Sequence, residues 1–291
     1  MSIILSSAIE APALVIRDIE RVSEMQGIET LQKDVWGCDD LDVVPLTMLA
    51  ASKEVGAVLI GAYDGALLAG FVYGFPGYEN GQVTHHSHML AVRPSYRNHN
   101  LGYQLKLAQR DRVLAQSIKR ITWTFDPLQS LNAYFNFRKL GVLADTYKIN
   151  FYGEATSSFL HQIGTDRLWV TWQLDSERVR ERLQTEKQQT LVEPERIPCL
   201  VQFGANHAPQ RNEPSEGLGH EHFSIEIPAD INALQNEKPG LAVEWREATR
   251  GAFTEAITSG YLVEEFYRSN RKGQSVGNYL LTHRKKVEGF G

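Results

Sequence analysis

Met89-Leu90-Ala91-Val92-Arg93-Pro94-Ser95-Tyr96-Arg97-Asn98-His99-Asn100-Leu101-Gly102-Tyr103 is an apolar run that leads through a polar turn straight into a helix-forming segment. The turn closes on Asn100 and Gly102. Such a junction gathers backbone N–H groups at the positive end of a helix dipole, which makes an anion site suited to a pyrophosphate. Arg97 adds a fixed cation beside it. The site predicts a phosphorylated cofactor.

Upstream, residues 14–17 read as a strand, and Asp18 is placed to cap a helix through Ile19, Val22, Met25, Ile28, Leu31 and Val35. Trp36-Gly37 ends it, and a second helix covers residues 46–55. Apolar runs at 58–63 and 67–75 flank Asp64-Gly65, a hairpin signal. Residues 76–81 read as a loop and 83–92 as the strand before the turn. The following helix, 101–118, puts Leu101, Leu105, Ala108 and Ala115 on one side, with Leu107, Leu114 and Ile118 widening the stripe. A strand at 121–125 stops at Asp126-Pro127, a helix at 132–140 ends on Gly141, and strands follow at 149–152 and 167–174.

Residues 177–193 are charged and Gln-rich, which suits a solvated helix or connector. Further strands are expected at 197–203, 223–228, 261–267 and 278–282, a polar loop at 204–222 and a helix at 242–258. The expected division is a domain of residues 1–175, a connector of 176–196 and a smaller C-terminal α/β subdomain of 197–291.

A chain of 291 residues with 42% apolar and 22% charged content is ordinary for a globular protein. A net charge of −5 gives no reason to expect nucleic acid as a partner. Cys38 and Cys199 are too few for a disulfide framework and suit a reducing compartment. No apolar run reaches the ~18 residues of a membrane span, and the N-terminus does not read as a signal peptide. The expectation is a cytoplasmic protein.

The order strand, helix, helix, three strands, helix, strand, helix, strand, strand resembles the GNAT superfamily of acyl-CoA-dependent N-acyltransferases over residues 14–175. In that family an Arg/Gln-x-x-Gly-x-Gly/Ala turn after the fourth strand holds the coenzyme A pyrophosphate. Here it reads Arg97-Asn98-His99-Asn100-Leu101-Gly102, with Asn100 in place of the first glycine. Asn is the non-glycine residue that best tolerates a left-handed backbone. The runs His86-Ser87-His88-Met89-Leu90-Ala91-Val92 and Thr122-Trp123-Thr124-Phe125-Asp126-Pro127-Leu128 resemble a branch with an extra C-terminal region, some of whose members are associated with N-succinyl-amino-acid racemases.

The resemblance implies an α+β fold, a mixed and mostly antiparallel sheet flanked by helices. It also implies an acyltransferase moving an acyl group from acetyl-CoA or succinyl-CoA directly to a small amine, plausibly an amino acid. A homodimer is compatible with it, and so is a catalytically silent acyl-CoA-binding module. In the family the fourth and fifth strands splay apart and the pantetheine arm pairs with the fourth, which here falls to Leu90, Ala91 and Val92. The N–H of Leu90 would polarise the thioester carbonyl. The coenzyme phosphates would meet Arg97, Asn98, His99, Asn100, Leu101, Gly102 and Tyr103. Asn132 could reach the pantetheine amides, or serve only as a helix N-cap.

Acyl transfer to an amine needs a proton acceptor, a polarised carbonyl and a proton for the leaving thiolate. His86 and His88 share one face of the strand, and His85 points the other way. His86 stands where several family members carry a glutamate base, and His88 is the second candidate. Both read equally as packed strand residues. The His-x-His pair has no third ligand at a useful spacing, so a metal is not expected. Four residues before Gly141, where the family often has a tyrosine acid, this chain has Phe137. Tyr134, a turn earlier, is a substitute candidate or an aromatic packed on the sheet. Asp126 would either hold the acceptor ammonium or help deprotonate it, or else cap the turn at Pro127. Arg246 and Arg250, four apart on one helical face, could pair with a substrate carboxylate or with nearby acids.

Overall fold

A computed structural model describes residues 14–153, 162–184, 197–212, 219–271, 273–283 and 287. It divides into two compact units, residues 1–117 and 118–291. That boundary lies inside the domain expected to reach residue 175.

The first unit holds an antiparallel sheet in the order β1 (Val15–Asp18), β2 (Val58–Asp64), β3 (Leu67–Glu79), β4 (Gln82–Val92). Helices α1 (Val22–Trp36), α2 (Leu46–Glu54) and α3 (Leu101–Ala115) accompany it. Met25, Ile28 and Leu31 of α1 pack with Leu49 of α2 and with Phe71, Tyr73, Met89 and Ala91 of the sheet. The hairpin at Asp64-Gly65 forms as its sequence predicts, with Gly65 at φ +57°. Asp18 does not cap α1. The helix starts at Val22, where Glu24 accepts from the backbone N–H of Arg21, and Asp18 instead pairs with Arg112 of α3. Residues 76–79, expected in a loop, extend β3, with Pro76 opposite His85.

One register shift matters for the site. Tyr73 pairs with Met89 but Gly74 pairs with Ser87, so His88 has no opposite residue in the β3–β4 ladder. An extra residue of this kind swaps the faces on either side of it. Ser87 and His85 therefore meet α3, while Met89 and Ala91 join the core under α1.

The second unit holds a sheet in the order β5 (Arg120–Phe125), β7 (Arg167–Gln173), β6 (Leu143–Lys148), β11 (Tyr261–Arg271), β12 (Gln274–His283), β10 (His222–Pro228), β8 (Cys199–Phe203), β9 (Pro209–Arg211). All its neighbours are antiparallel except β8 and β10. Its helices are α4 (Ser130–Ala133), continued by a π-helical turn over Tyr134–Leu140, then α5 (Glu177–Gln184), α6 (Ile231–Glu237) and α7 (Pro239–Thr258). The strand expected at 149–152 is a turn, and β6 lies just before it. Residues 185–196 of the expected connector, and 213–218 of the expected polar loop, lie outside the described residues. Because β11 pairs with β6, the C-terminal segment continues the sheet that β5, β6 and β7 begin. Among the described residues no helix is long and apolar enough to cross a membrane.

Candidate active site

The turn after β4 has the geometry its sequence implies. Asn100 sits at φ 59° and ψ 14°, in the left-handed region that glycine usually fills, and α3 begins at the next residue. Asn98 adds a second left-handed residue at φ 68°. The first backbone bond of α3 runs from the Gln104 N–H to the Asn100 carbonyl. The N–H groups of Leu101, Gly102 and Tyr103 precede it and lie at the positive end of the helix. A Cβ on Gly102 would stand 3.9 Å from Leu90 and 4.0 Å from Val92, ordinary contacts, so local packing does not demand glycine there. Arg97 is exposed, and its Nε donates to the Val92 carbonyl at 3.3 Å, which holds the guanidinium against the turn.

Back along β4, His86 and His88 lie together as expected, with ring centroids 6.3 Å apart. Phe75 stands 5.7 Å from His86 and 5.9 Å from His88, and Tyr73 stands 6.1 Å from His88. His85 faces the other way, towards Gln109. Loss of hydration, the neighbouring His88 and Lys106 push the His86 pKa down to about 4. Burial, Lys106 and His86 push His85 to about 3. Loss of hydration among the rings also lowers His88. All three are therefore neutral at pH 7, and His86 keeps a free-base imidazole at pH values where an ordinary histidine would be half protonated.

A stability consequence follows. Below about pH 6.5 the unfolded chain's imidazoles take up protons that the folded chain refuses until its lowered pKa values are reached. The unfolded state then binds more protons, so stability falls with pH. Urea midpoints should drop between about pH 6.5 and 4. His85→Gln should lessen the drop; an equal drop in that variant would rule out its contribution.

The second unit organises the other candidates differently. Asp126 ends β5 with both carboxylate oxygens engaged: Oδ1 accepts from the Leu128 N–H at 2.9 Å and Oδ2 from Arg246 at 2.6 Å. It is a turn cap and ion-pair partner rather than a base. Arg246 is 2% exposed, and its Nε also donates to the Ile163 carbonyl at 3.3 Å. Burial works against its charge, but Asp126, Tyr147 and Asp166 outweigh this, and its pKa is raised. Arg250 spends its fork on Asp166, at 2.8 and 3.0 Å. Thus the two arginines expected at a substrate carboxylate pair with the protein's own acids.

Asn132 lies in the third position of α4, exposed, and does not cap it. The ring of Tyr134 lies under the Arg268 guanidinium, 4.9 Å away, as a packed aromatic. Phe137 is fully buried between Phe125 and Tyr279, at 6.3 and 5.8 Å, so its place is core rather than acid. Among the described residues no group of three or more His, Cys, Asp or Glu side chains is placed to hold a metal ion.

Several polar groups around these sites left no local signal. Lys106, Gln109 and Ser87 form a buried network behind the imidazole face. Tyr147 donates to Asp166 at 2.8 Å, and Tyr279 donates to the Pro127 carbonyl at 2.6 Å. Apart from Lys106–Gln109, one turn apart on α3, each bond joins residues distant in sequence that only the tertiary fold brings into contact.

Residues 25–141, 117 of the 291, match the family model described as the acetyltransferase (GNAT) family. The match covers less than half of the chain and makes this segment similar to that family. The matched segment includes the β4 turn and the imidazole face. The racemase-associated branch has no such support. Among curated proteins, none matches the chain. Solved structures similar to it include a GNAT-family acetyltransferase of Desulfovibrio desulfuricans, 13% identical, covering 56% of this chain and 99% of that one, with a TM-score of 0.45. An aminoglycoside 6'-acetyltransferase type Ii is 19% identical over 55% of this chain and 97% of its own, TM-score 0.44. The ribosomal-protein-S18-alanine N-acetyltransferase of Escherichia coli is 12% identical over 55% and 94%, TM-score 0.44.

Proposed function

We propose that the GNAT segment binds an acyl-CoA at the β4 turn and transfers its acyl group directly to a small amine, with His86 accepting the amine proton. The observation that carries this is the junction itself: left-handed Asn100, the start of α3 at Leu101 and Arg97 beside them. The pyrophosphate sits on the N–H groups of residues 98–103, and the pantetheine arm runs along Leu90, Ala91 and Val92. An N–H of β4, that of Leu90, polarises the thioester carbonyl. The attacking nitrogen becomes strongly acidic as its bond to the carbonyl carbon forms. An imidazole with a pKa of about 4 is then base enough to take its proton.

The donor is acetyl-CoA or succinyl-CoA, and the acceptor is a small amine, with amino acids the first class to test. The acceptor is proposed without a role for Arg246 or Arg250, whose charges the protein already answers. With no tyrosine at position 137, the thiolate takes its proton from water or from the His86 imidazolium, which holds the proton the amine gave up.

The purified chain should release thiol from acetyl-CoA or succinyl-CoA in an acceptor-dependent manner across a panel of amino acids and simple amines. Coenzyme A binding by calorimetry without any turnover would favour the silent module instead. Failure to bind coenzyme A would remove the proposal altogether.

A further inference from the structure

Helix α3 buries a lysine where an apolar residue is expected. Lys106 is 2% exposed, and its ammonium Nζ donates to Ser87 Oγ at 2.9 Å and to Gln109 Oε1 at 3.0 Å. Gln109, 0% exposed, also accepts from the Ser87 hydroxyl at 2.9 Å and places its amide nitrogen 3.4 Å from His85 Nε2. Burying an ammonium is costly, and an apolar side chain of the same length is often as good or better for stability alone.

The donors and acceptors in this group have one consistent arrangement. Burial pulls the Lys106 pKa well below the ordinary lysine value; in its protonated form the side chain has only protons to give, so Ser87 accepts from it and turns its own proton to Gln109. The Gln109 oxygen is then taken, and its NH2 faces His85, whose Nε2 becomes the acceptor. The group is packed against bare backbone. A Cβ on Gly74, the residue opposite Ser87, would come within 2.6 Å of the His86 carbonyl and 2.9 Å of Gln109 Nε2. Ser87 lies between His86 and His88, immediately before the residue that the β3–β4 ladder leaves over. The network thus grips β4 from behind at the point where the strand changes faces, and the two imidazoles project from the other side.

We infer that Lys106, acting through Ser87 and Gln109, is a positioning residue that pins the extra residue of β4 and thereby aims the His86 imidazole. The inference rests on His86 being the base. The titratable groups that act on His86 include His85 and His88 on its own strand and Lys106 on α3. Lys106→Met removes the donor and the charge while keeping the length.

Lys106→Met in the full-length chain should lower kcat about tenfold, leave the KM for acyl-CoA within about twofold, and leave the thermal midpoint unchanged or raised. The acid limb of the pH–rate profile should move up, because a nearby cation is gone. Ser87→Ala should lower kcat similarly, and the double variant should lose no more than either alone, since both cut one relay. Imidazole NMR of His86 should show the same displacement in both single variants. Unshifted His86 resonances, or losses that add in the double variant, would overturn the inference. Absence of turnover in the unmodified chain would defeat the proposed function instead, and the NMR comparison would still decide the role of Lys106.

Discussion

His86→Ala is expected to lower kcat by about 100-fold or more, the usual cost of losing a positioned proton acceptor. Coenzyme A affinity should hold, because the β4 turn lies beyond the imidazole face and its anion-binding groups are backbone N–H groups and Arg97. The pH dependence gives a sharper reading. A base whose pKa is held at about 4 is deprotonated throughout the neutral range, so its acid limb should fall near pH 4 rather than near 6.5. That limb should vanish in His86→Ala. Steady-state kinetics from pH 3.5 to 8, with calorimetric binding of coenzyme A, checks both statements. A variant with unchanged kcat, or a limb that survives the substitution, would show that the base is another group. His88→Ala is the informative companion, because that ring shares the same aromatic face but lies outside the β3–β4 pairing.

Asp126→Ala should be the most destabilising single change considered for the second unit, at about 3–5 kcal/mol. It leaves the Arg246 guanidinium without its carboxylate where only 2% of the residue is exposed, and it also removes the acceptor for the Leu128 N–H. Asp126→Asn keeps the turn bond but not the charge, and should lose less. The double variant Asp126→Ala/Arg246→Met should recover much of the loss, because no charge is then left unanswered. Urea denaturation of the four proteins gives the comparison. If Asp126→Ala costs under about 1 kcal/mol, the pair is not the buried, mutually dependent contact its 2.6 Å geometry indicates.

Much of the fold was legible because it is written locally. The hairpin at Asp64-Gly65, the left-handed Gly37 after α1, the left-handed Asn100 before α3 and Gly141 after the π-helical turn each follow from the conformational freedom of one or two residues. The shared face of His86 and His88 follows from strand alternation. The stripe on α3 follows periodicity only in part: Leu101, Leu105 and Ile118 are buried, but the rest of the buried face is not the apolar one. Apolar periodicity favours Ala108 and Ala115, but the buried set is Leu101, Leu105, Lys106, Gln109 and Val113. A polar side chain enters a core when partners from another element satisfy it, and periodicity cannot see those partners.

The same distinction governs the site. The sequence by itself determined the left-handed turn before α3 and the strand that carries the imidazoles, because backbone conformation there depends on adjacent residues. Only the tertiary structure decided that Asp126 belongs to Arg246, 120 positions away, that Arg250 belongs to Asp166, and that Phe137 is core beside Tyr279. It also moved His86 from an ordinary imidazole to one with a pKa of about 4. Charge partners and hydration are set by what packs against a side chain in space, and neither is encoded in its neighbours along the chain.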